Sequence, residues 1–170
     1  MGMTVFPTAI GDCGIVWNDR GVLGVQLPES TPDATRERLR KHWPDAEESE
    51  PTPVATRAIE GIKALLAGEP DAMDDVEIDL DGVSDFRRGV YEIARSVGPG
   101  NTITYGEIAN RLGEPHAARE VGQALGANPV PLIVPCHRVL AAGGKLGGFS
   151  ARGGVTTKSR LLAIEGASLF

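Results

Sequence analysis

The sequence predicts an α+β protein with two domains: a small N-terminal α/β domain whose sheet is led by a β-hairpin, and a mainly helical C-terminal domain. Two observations support this prediction. Short apolar stretches alternate around a turn signal in residues 3–27, whereas helix-start signals followed by helical spacing of apolar residues recur later in the chain. An acidic stretch separates the halves, so we place the domains at residues 1–80, with a structural role, and 81–170.

The opening strands are predicted from residues 14–17 and 22–27, which are apolar and flank the turn signal Asn18-Asp19-Arg20-Gly21. Turn residues between two such stretches are typical of a β-hairpin. Two helices should follow, because Thr31-Pro32 and Thr52-Pro53 each place a capping hydroxyl before a proline suited to the first helical position.

The connection between the domains is predicted in residues 69–81, which contain seven acidic residues and end in the strand-like Val76–Leu80. The second domain should then begin with a helix that Ser84 caps and that Gly98-Pro99-Gly100 ends.

A pair of short helices is predicted next. Thr104 and Glu107 have the spacing of a capping box, and Gly113 supplies the stop. The second helix of the pair should cover Ala117–Gly126, which is rich in alanine and glycine. This pattern favours a helix-turn-helix in a winged-helix-like domain, whose slim second helix could approach a nucleic-acid groove. A plain helical hairpin would give the same pattern, and such hairpins outnumber true recognition motifs.

The charge is distributed unevenly along the chain, although the formal net charge is −6. Residues 1–84 hold 7 Lys/Arg against 17 Asp/Glu, a net −10, and residues 85–170 hold 10 against 6, a net +4. A positive second half permits a polyanion site there, but solvated protein faces carry similar charge.

The composition is that of a globular protein: 41% of the 170 residues are hydrophobic and 24% are charged. The two cysteines lie 123 positions apart and do not form a disulfide framework, so a reducing compartment is expected and we place the protein in the cytoplasm. No stretch approaches the roughly 18 apolar residues of a membrane span. We therefore expect no membrane partner, and we expect a monomer.

One cysteine has an unusual setting. Cys136 follows an apolar run and lies within Val134-Pro135-Cys136-His137-Arg138. Cationic neighbours favour thiolate over thiol, which is the condition for a nucleophile, so His137 and Arg138 are expected to activate Cys136. A free cysteine is more often a small buried apolar residue, and taken alone Cys136 would be interpreted that way.

Several segments together resemble the O6-alkylguanine-DNA alkyltransferases, also called methylated-DNA–protein-cysteine methyltransferases. The resemblance is strong from about Phe86 to the C-terminus, whereas residues 1–80 share only the layout of a hairpin followed by helices. The matching segments are Thr104–Ala109, Ala117–Gly122, Asn128–Val139, Gly147–Ser150 and Leu161–Gly166.

The resemblance implies direct DNA repair, in which an alkyl (methyl) group passes irreversibly from O6 of guanine to Cys136. It implies that His137 acts as the base through a bridging water and that Glu165, on the last helix, orients the imidazole. Tyr105 would donate a proton to the departing guanine, and Asn128 would tie the second helix of the pair to the active-site segment. The product is a thioether, so each protein molecule should react once.

The resemblance also implies how DNA is handled. The partner would be double-stranded DNA that contains O6-alkylguanine, with the damaged nucleotide turned out of the duplex. Arg119 would fill the gap in the stack, the small residues Ala118 and Gly122 would let the helix enter the minor groove, and Tyr105 would contact the DNA. The base would be held in its pocket by the backbone around Cys136 and Val139 and by the loop residues Phe149 and Ser150.

No cofactor is expected, because the transfer needs none. No metal is expected either, since the N-terminal half offers only Cys13 and His42 where some relatives hold zinc. The chain departs from the family pattern at Glu120, where many relatives have alanine, at Phe149, which replaces a tyrosine of some members, and in a slightly longer loop at 150–154.

Three other functions remain open from the residues themselves. A non-catalytic sensor of alkylated DNA would lack the reactive thiol that Cys136 supplies. A cysteine hydrolase that uses Cys136, His137 and Glu165 would turn over repeatedly. A helix-turn-helix regulator would prefer a defined DNA sequence.

Overall fold

The structure is a computed structural model that describes residues 1–167, so the last three residues of the predicted C-terminal domain lie outside it. The chain forms two compact units. The first contains residues 1–80 and 129–133, and the second contains residues 81–128 and 134–167. Residues 129–133 therefore pack with the first unit although they follow residue 81 in sequence. The division of roles between the two predicted domains stays a prediction.

The first unit contains a four-stranded sheet. Its strands are β1 (Gly2–Thr8), β2 (Gly11–Asn18), β3 (Gly21–Gln26) and β4 (Glu47–Glu48), in the order β3-β2-β1-β4. β2 pairs antiparallel with β1 and β3, while β4 lies parallel to β1. The predicted hairpin is the β2–β3 pair, whose turn is held by Asn18 Oδ1, which accepts from the backbone N–H of Arg20 at 2.8 Å and of Gly21 at 3.1 Å.

Two helices complete the first unit, α1 (Pro32–His42) and α2 (Pro53–Leu66). Their predicted starts are confirmed, because the hydroxyl of Thr31 accepts from the N–H of Ala34 at 3.0 Å and that of Thr52 accepts from Ala55 at 3.3 Å. α1 places Leu39 in a core that it shares with the sheet. The other buried members of this core are Met3, Val16 and Ala46.

The strand expected at Val76–Leu80 is wrong. Only one residue of this segment pairs with the sheet, as an isolated parallel bridge between Ile78 and Val22. The backbone of Val22 donates to the carbonyl of Glu77 and accepts from the N–H of Asp79, each at 2.9 Å. One such pairing holds the segment against the edge of β3 but does not make a strand.

The second unit is mainly helical and confirms a mixed α/β protein. Its helices are α3 (Asp85–Arg95), α4 (Tyr105–Arg111), α5 (Ala118–Gly126) and α6 (Val155–Ile164), and its two short parallel strands are β5 (Ile103–Thr104) and β6 (Val139–Leu140). The predicted caps are present: Ser84 accepts from the N–H of Arg87 at 3.3 Å, and Thr104 accepts from Glu107 at 3.1 Å. Glu165 is the residue after the last turn of α6, where the sequence placed it within the helix.

The packing of the second unit fixes α5 against its neighbours. The hydroxyl of Tyr91 on α3 donates to the carbonyl of Ala124 on α5 at 2.7 Å in a buried position. Ile108 of α4 and Val121 of α5 are fully buried. The connection between α4 and α5 passes through Gly113, whose φ of 74° suits glycine after a helix end. Within residues 1–167, every helix is too short or too polar to cross a membrane.

Candidate active site

Cys136 is the first residue of a short 3-10 turn, Cys136–Arg138, which leads directly into strand β6. Its backbone N–H donates to the carbonyl of Val134 at 2.8 Å, and the residue is 9% exposed. Burial raises the pKa of the thiol, while a hydrogen bond from Asn128 and the charge of Lys158 oppose that rise. The resting side chain at neutral pH is therefore a thiol that needs a base.

Asn128 holds the segment that precedes the cysteine. Its Nδ2 donates to the carbonyl of Val134 at 2.9 Å, and its side chain also bonds to Cys136. The two contacts hold the two ends of the 129–133 segment close together. Within that excursion Leu132 has a φ of 74°, which an L-residue rarely adopts, so the backbone there is held in one strained shape.

His137 and Glu165 form a buried pair beside the cysteine. His137 Nε2 lies 2.9 Å from Glu165 Oε2, and the two side chains are 1% and 2% exposed. Burial lowers the pKa of the imidazole, and the carboxylate only partly offsets this, so the ring is neutral at pH 7. A neutral ring that donates from Nε2 keeps a lone pair on Nδ1. Within the described chain, Nδ1 has no hydrogen-bond partner.

Arg138 does not act as the sequence suggests. Its guanidinium points to Glu165, with Nε 2.9 Å from Oε1 and Nη2 2.7 Å from Oε2, and Nη1 donates to the carbonyl of Val97 at 2.7 Å. Burial alone would raise the pKa of Glu165, but the hydrogen bonds from Arg138 and His137 outweigh it and lower the pKa to about 2. Arg138 therefore keeps the carboxylate charged, and the expectation that it activates Cys136 directly is wrong.

The cation that acts on Cys136 is Lys158, which was not predicted from the sequence. This fully buried side chain of α6 donates from Nζ to the carbonyls of Val139 at 2.6 Å and Gly148 at 3.2 Å, and lies 3.5 Å from the hydroxyl of Tyr105. Burial lowers the pKa of Lys158 to about 8, although the Cys136 charge opposes this. The signal was its spacing, because Lys158 precedes the buried Leu161 by three positions and so shares its helix face.

A cavity of about 520 Å³ opens beside Cys136. It brings together residues that the resemblance assigned to catalysis, DNA and the base pocket. These are Tyr105, Ala118, Arg119, Gly122, Cys136, Phe149 and Ser150. Four more lining residues were not predicted from the sequence, namely Gln123, Leu125, Gly126 and Gly148.

Some expected site residues lie behind this cavity. The cavity is not lined by Asn128, His137 or Glu165. Asn128 bonds to Val134, and His137 bonds to Glu165, on the side of Cys136 away from the cavity. Val139, expected in the base pocket, does not line the cavity either, because its side chain is fully buried and its carbonyl accepts from Lys158.

The exposed face of α5 carries two residues of note. Arg119 is exposed and lines the cavity, and its side chain has no hydrogen bond or ion pair to any other described residue. Glu120 is also exposed and forms no ion pair within residues 1–167.

The two candidate zinc ligands of the first unit, Cys13 and His42, are not part of a group of possible metal ligands among the described residues. Cys13 is buried, and burial raises its pKa to about 12. His42 is exposed, and its Nδ1 lies 3.1 Å from the carbonyl of Arg38. Across the part of the chain that the structure describes, no group of three or more His, Cys, Asp or Glu could hold a metal ion.

Comparison with protein families gives one match on the second unit. Residues 85–167 match the model of the 6-O-methylguanine DNA methyltransferase, DNA binding domain. The matched range includes Cys136, His137, Lys158 and Glu165.

Individual relatives extend the similarity to the first unit. The methylated-DNA–protein-cysteine methyltransferase of Mycobacterium tuberculosis is 43% identical over 134 residues, 78% of this chain and 75% of the relative. The DNA base-flipping protein of Thermus thermophilus is 37% identical over 161 residues, 95% of this chain and 97% of the relative. A crystal structure of Mycobacterium tuberculosis OGT in complex with DNA superimposes with a TM-score of 0.78 at 34% identity, and covers 98% of this chain and 93% of that one.

Proposed function

Because the chain belongs to the methylated-DNA–protein-cysteine methyltransferase family, we propose that it repairs DNA by moving an alkyl group from O6 of guanine to Cys136. The observation that carries the proposal is the place of this thiol. Cys136 lines the cavity while a buried histidine and carboxylate stand behind it. A base that enters the cavity would present its O6 substituent to sulfur, with the proton acceptor on the far side.

The transfer is a displacement at carbon. Sγ of Cys136 forms a bond to the alkyl carbon as the bond from that carbon to guanine O6 breaks, and the guanine leaves with the bonding electrons. The thiol must lose its proton first, because burial raises its pKa. The guanine gains a proton as it leaves.

His137 takes the proton of the thiol. The neutral ring has a free Nδ1, and a buried nitrogen without a protein partner is suited to a bridging water that relays the proton from Sγ. The imidazolium that forms is stabilised by Glu165, which Arg138 keeps ionised. The order of roles is nucleophile, base and orienting carboxylate, as in hydrolytic triads.

Tyr105 supplies the proton of the leaving group. Tyr105 lines the cavity, and its hydroxyl lies 3.5 Å from Nζ of Lys158. A cation near the phenol stabilises the phenolate that forms after the proton is given to the purine. Lys158 also favours the thiolate of Cys136, so one buried charge assists both ends of the displacement.

DNA binding is assigned to α4 and α5, acting as a helix-turn-helix. The target base must leave the duplex to enter the cavity, and Arg119, which lines the cavity, is free to occupy the vacated place. Ala118 and Gly122 keep this face of α5 slim enough for the minor groove. Phe149 and Ser150 would hold the flipped base from the loop side of the cavity. The partner is double-stranded DNA that contains O6-alkylguanine.

A second function has a specific observation behind it, since one relative of nearly the same length is a DNA base-flipping protein. Such a protein could bind the lesion without transfer. The buried Cys136–His137–Glu165 set argues for transfer here, because binding alone needs neither a base nor its carboxylate. A cysteine hydrolase would use the same three residues but form an acyl-enzyme that water can cleave.

Stoichiometry distinguishes the three functions. Duplex with O6-methylguanine is supplied in tenfold excess, and repaired guanine is counted per protein molecule. The proposal expects one repaired guanine per protein, because a thioether is a poor leaving group. Tight binding of the duplex without any repair would establish the sensor. In a separate assay, cleavage of many ester molecules per protein molecule would establish the hydrolase.

A further inference from the structure

The face of α5 that borders the cavity has an unusual composition. Arg119, Gly122, Gln123 and Gly126 follow the helical spacing i, i+3, i+4, i+7 and all line the cavity. The two glycines are open: a Cβ added at either would meet nothing within 4 Å. The long polar side chains of Arg119 and Gln123 are therefore flanked by glycines that have no side chain. Another molecule can approach this helix face closely.

Gln123 has no structural task in the protein. Its side chain is exposed, and it makes no hydrogen bond to any residue in the described part of the chain. The neighbouring Ala124 and Leu125 supply the buried face of the helix. An amide left free in a cavity wall is available to a ligand as both donor and acceptor.

The spacing from Arg119 indicates which part of DNA Gln123 would meet. Four residues of helix rise by about 6 Å, which is less than two base-pair steps of about 3.4 Å each. On the proposed function, Arg119 occupies the place of the flipped base. Gln123 then lies beside a base pair next to the lesion, with its amide toward the minor-groove edge.

We propose that Gln123 reads the base pair next to the damaged guanine and favours a G·C pair there. This inference rests on the proposed function. In the minor groove every pair presents acceptors, but only G·C adds a donor, the guanine N2 amino group. A glutamine amide can donate to guanine N3 and accept from N2 at once. With A·T it can use only its donor.

The competing role is a contact to phosphate. A glutamine that binds phosphate would strengthen binding equally on every sequence, because the backbone carries no base information. Removal of the N2 amino group from the neighbouring guanine separates the two roles, since inosine changes the base edge and leaves the backbone unaltered.

The experiment measures transfer rates at subsaturating protein on matched duplexes with one O6-methylguanine. The adjacent pair is G·C, I·C or A·T, placed first on the 5′ and then on the 3′ side. The wild type should react about fivefold or more faster with G·C than with I·C on one side, the scale of a bidentate base contact. Gln123→Ala should bring that ratio to one. Gln123→Glu should keep it, because a carboxylate still accepts from N2.

Glu120→Ala is the matched control, since Glu120 is exposed on the same helix but does not line the cavity. It should change both rates by the same factor and leave their ratio intact. Equal wild-type rates on G·C and I·C, or an unchanged ratio in Gln123→Ala, would overturn the inference while repair itself stands. An equal loss on all duplexes would assign Gln123 to phosphate. No transfer from any duplex would instead refute the proposed function.

Discussion

Arg138 and Glu165 form a buried bidentate ion pair, with Nε 2.9 Å from Oε1 and Nη2 2.7 Å from Oε2. The same Oε2 lies 2.9 Å from His137 Nε2, so two adjacent residues of the chain contact one carboxylate. The arrangement keeps Glu165 ionised in a place where burial alone would protonate it. The basicity of His137 therefore depends on Arg138, which itself never reaches the cysteine.

Replacing Glu165 by glutamine should slow alkyl transfer by about a hundredfold, because the imidazolium loses its stabilising charge. The measurement is the single-turnover rate on O6-methylguanine duplex at pH 7. Glu37→Gln, at an exposed position of α1 in the first unit, is the control and should react at the wild-type rate. A folded Glu165→Gln protein that reacts at the wild-type rate would remove the carboxylate from the mechanism.

The same variant has a predicted signature in acid. The pKa of Glu165 is lowered to about 2 from an ordinary 4.5, so its contribution to stability is complete above the ordinary value and is lost as pH falls toward 2. In urea titrations, the wild type should lose stability between pH 5 and pH 2 more steeply than Glu165→Gln. Parallel losses in the two proteins would mean that the ion pair does not stabilise the folded state.

Lys158→Met, which preserves length and removes the charge, should slow transfer by at least about tenfold and change its pH profile. Lys158 loses its proton above about pH 8, so the wild-type rate should stop rising there even as the thiol ionises. The variant lacks this titration, and its rate should continue to rise with pH. Identical profiles, once a melting curve has established folding, would show that Lys158 only supports the loop at Gly148.

Arg119→Ala should weaken repair of duplex DNA by about tenfold or more, with a much smaller loss on free O6-alkylguanine, because no base is extruded from the free compound. Arg40→Ala is the matched control: this arginine is exposed on α1 of the first unit and does not line the cavity, so both substrates should react at the wild-type rate. Equal losses on both substrates in Arg119→Ala would indicate that the residue shapes the cavity itself.

Local signals in the sequence were sufficient for most of the elements. Capping hydroxyls at Thr31, Thr52, Ser84 and Thr104 each mark a helix start in the structure, because a cap depends on residues only three positions away. The strand expected at Val76–Leu80 failed, because strand formation depends on a distant partner. That partner, Val22, offers one pairing only.

The candidate site was predictable where residues act beside their sequence neighbours and not where they act across the fold. Cys136 and His137 are adjacent, and one short motif, Val134-Pro135-Cys136-His137-Arg138, predicts the roles of both. Arg138 pairs with a carboxylate 27 positions away, and Lys158 reaches Cys136 from α6, so neither role is visible in the local sequence. Gln123 was missed for another reason, since nothing near it in sequence marks an unpaired amide on an open helix face.

Transfer of the methyl group to Cys136 is tested by finding which residue carries the group after the reaction. The protein is mixed with duplex that contains O6-methylguanine, digested and sequenced by mass spectrometry. We expect one added methyl group, on Cys136, with none on the buried Cys13, and no transfer by Cys136→Ser although this variant still binds the duplex. A methyl group on any other residue, or repaired guanine produced by Cys136→Ser, would contradict transfer to Cys136.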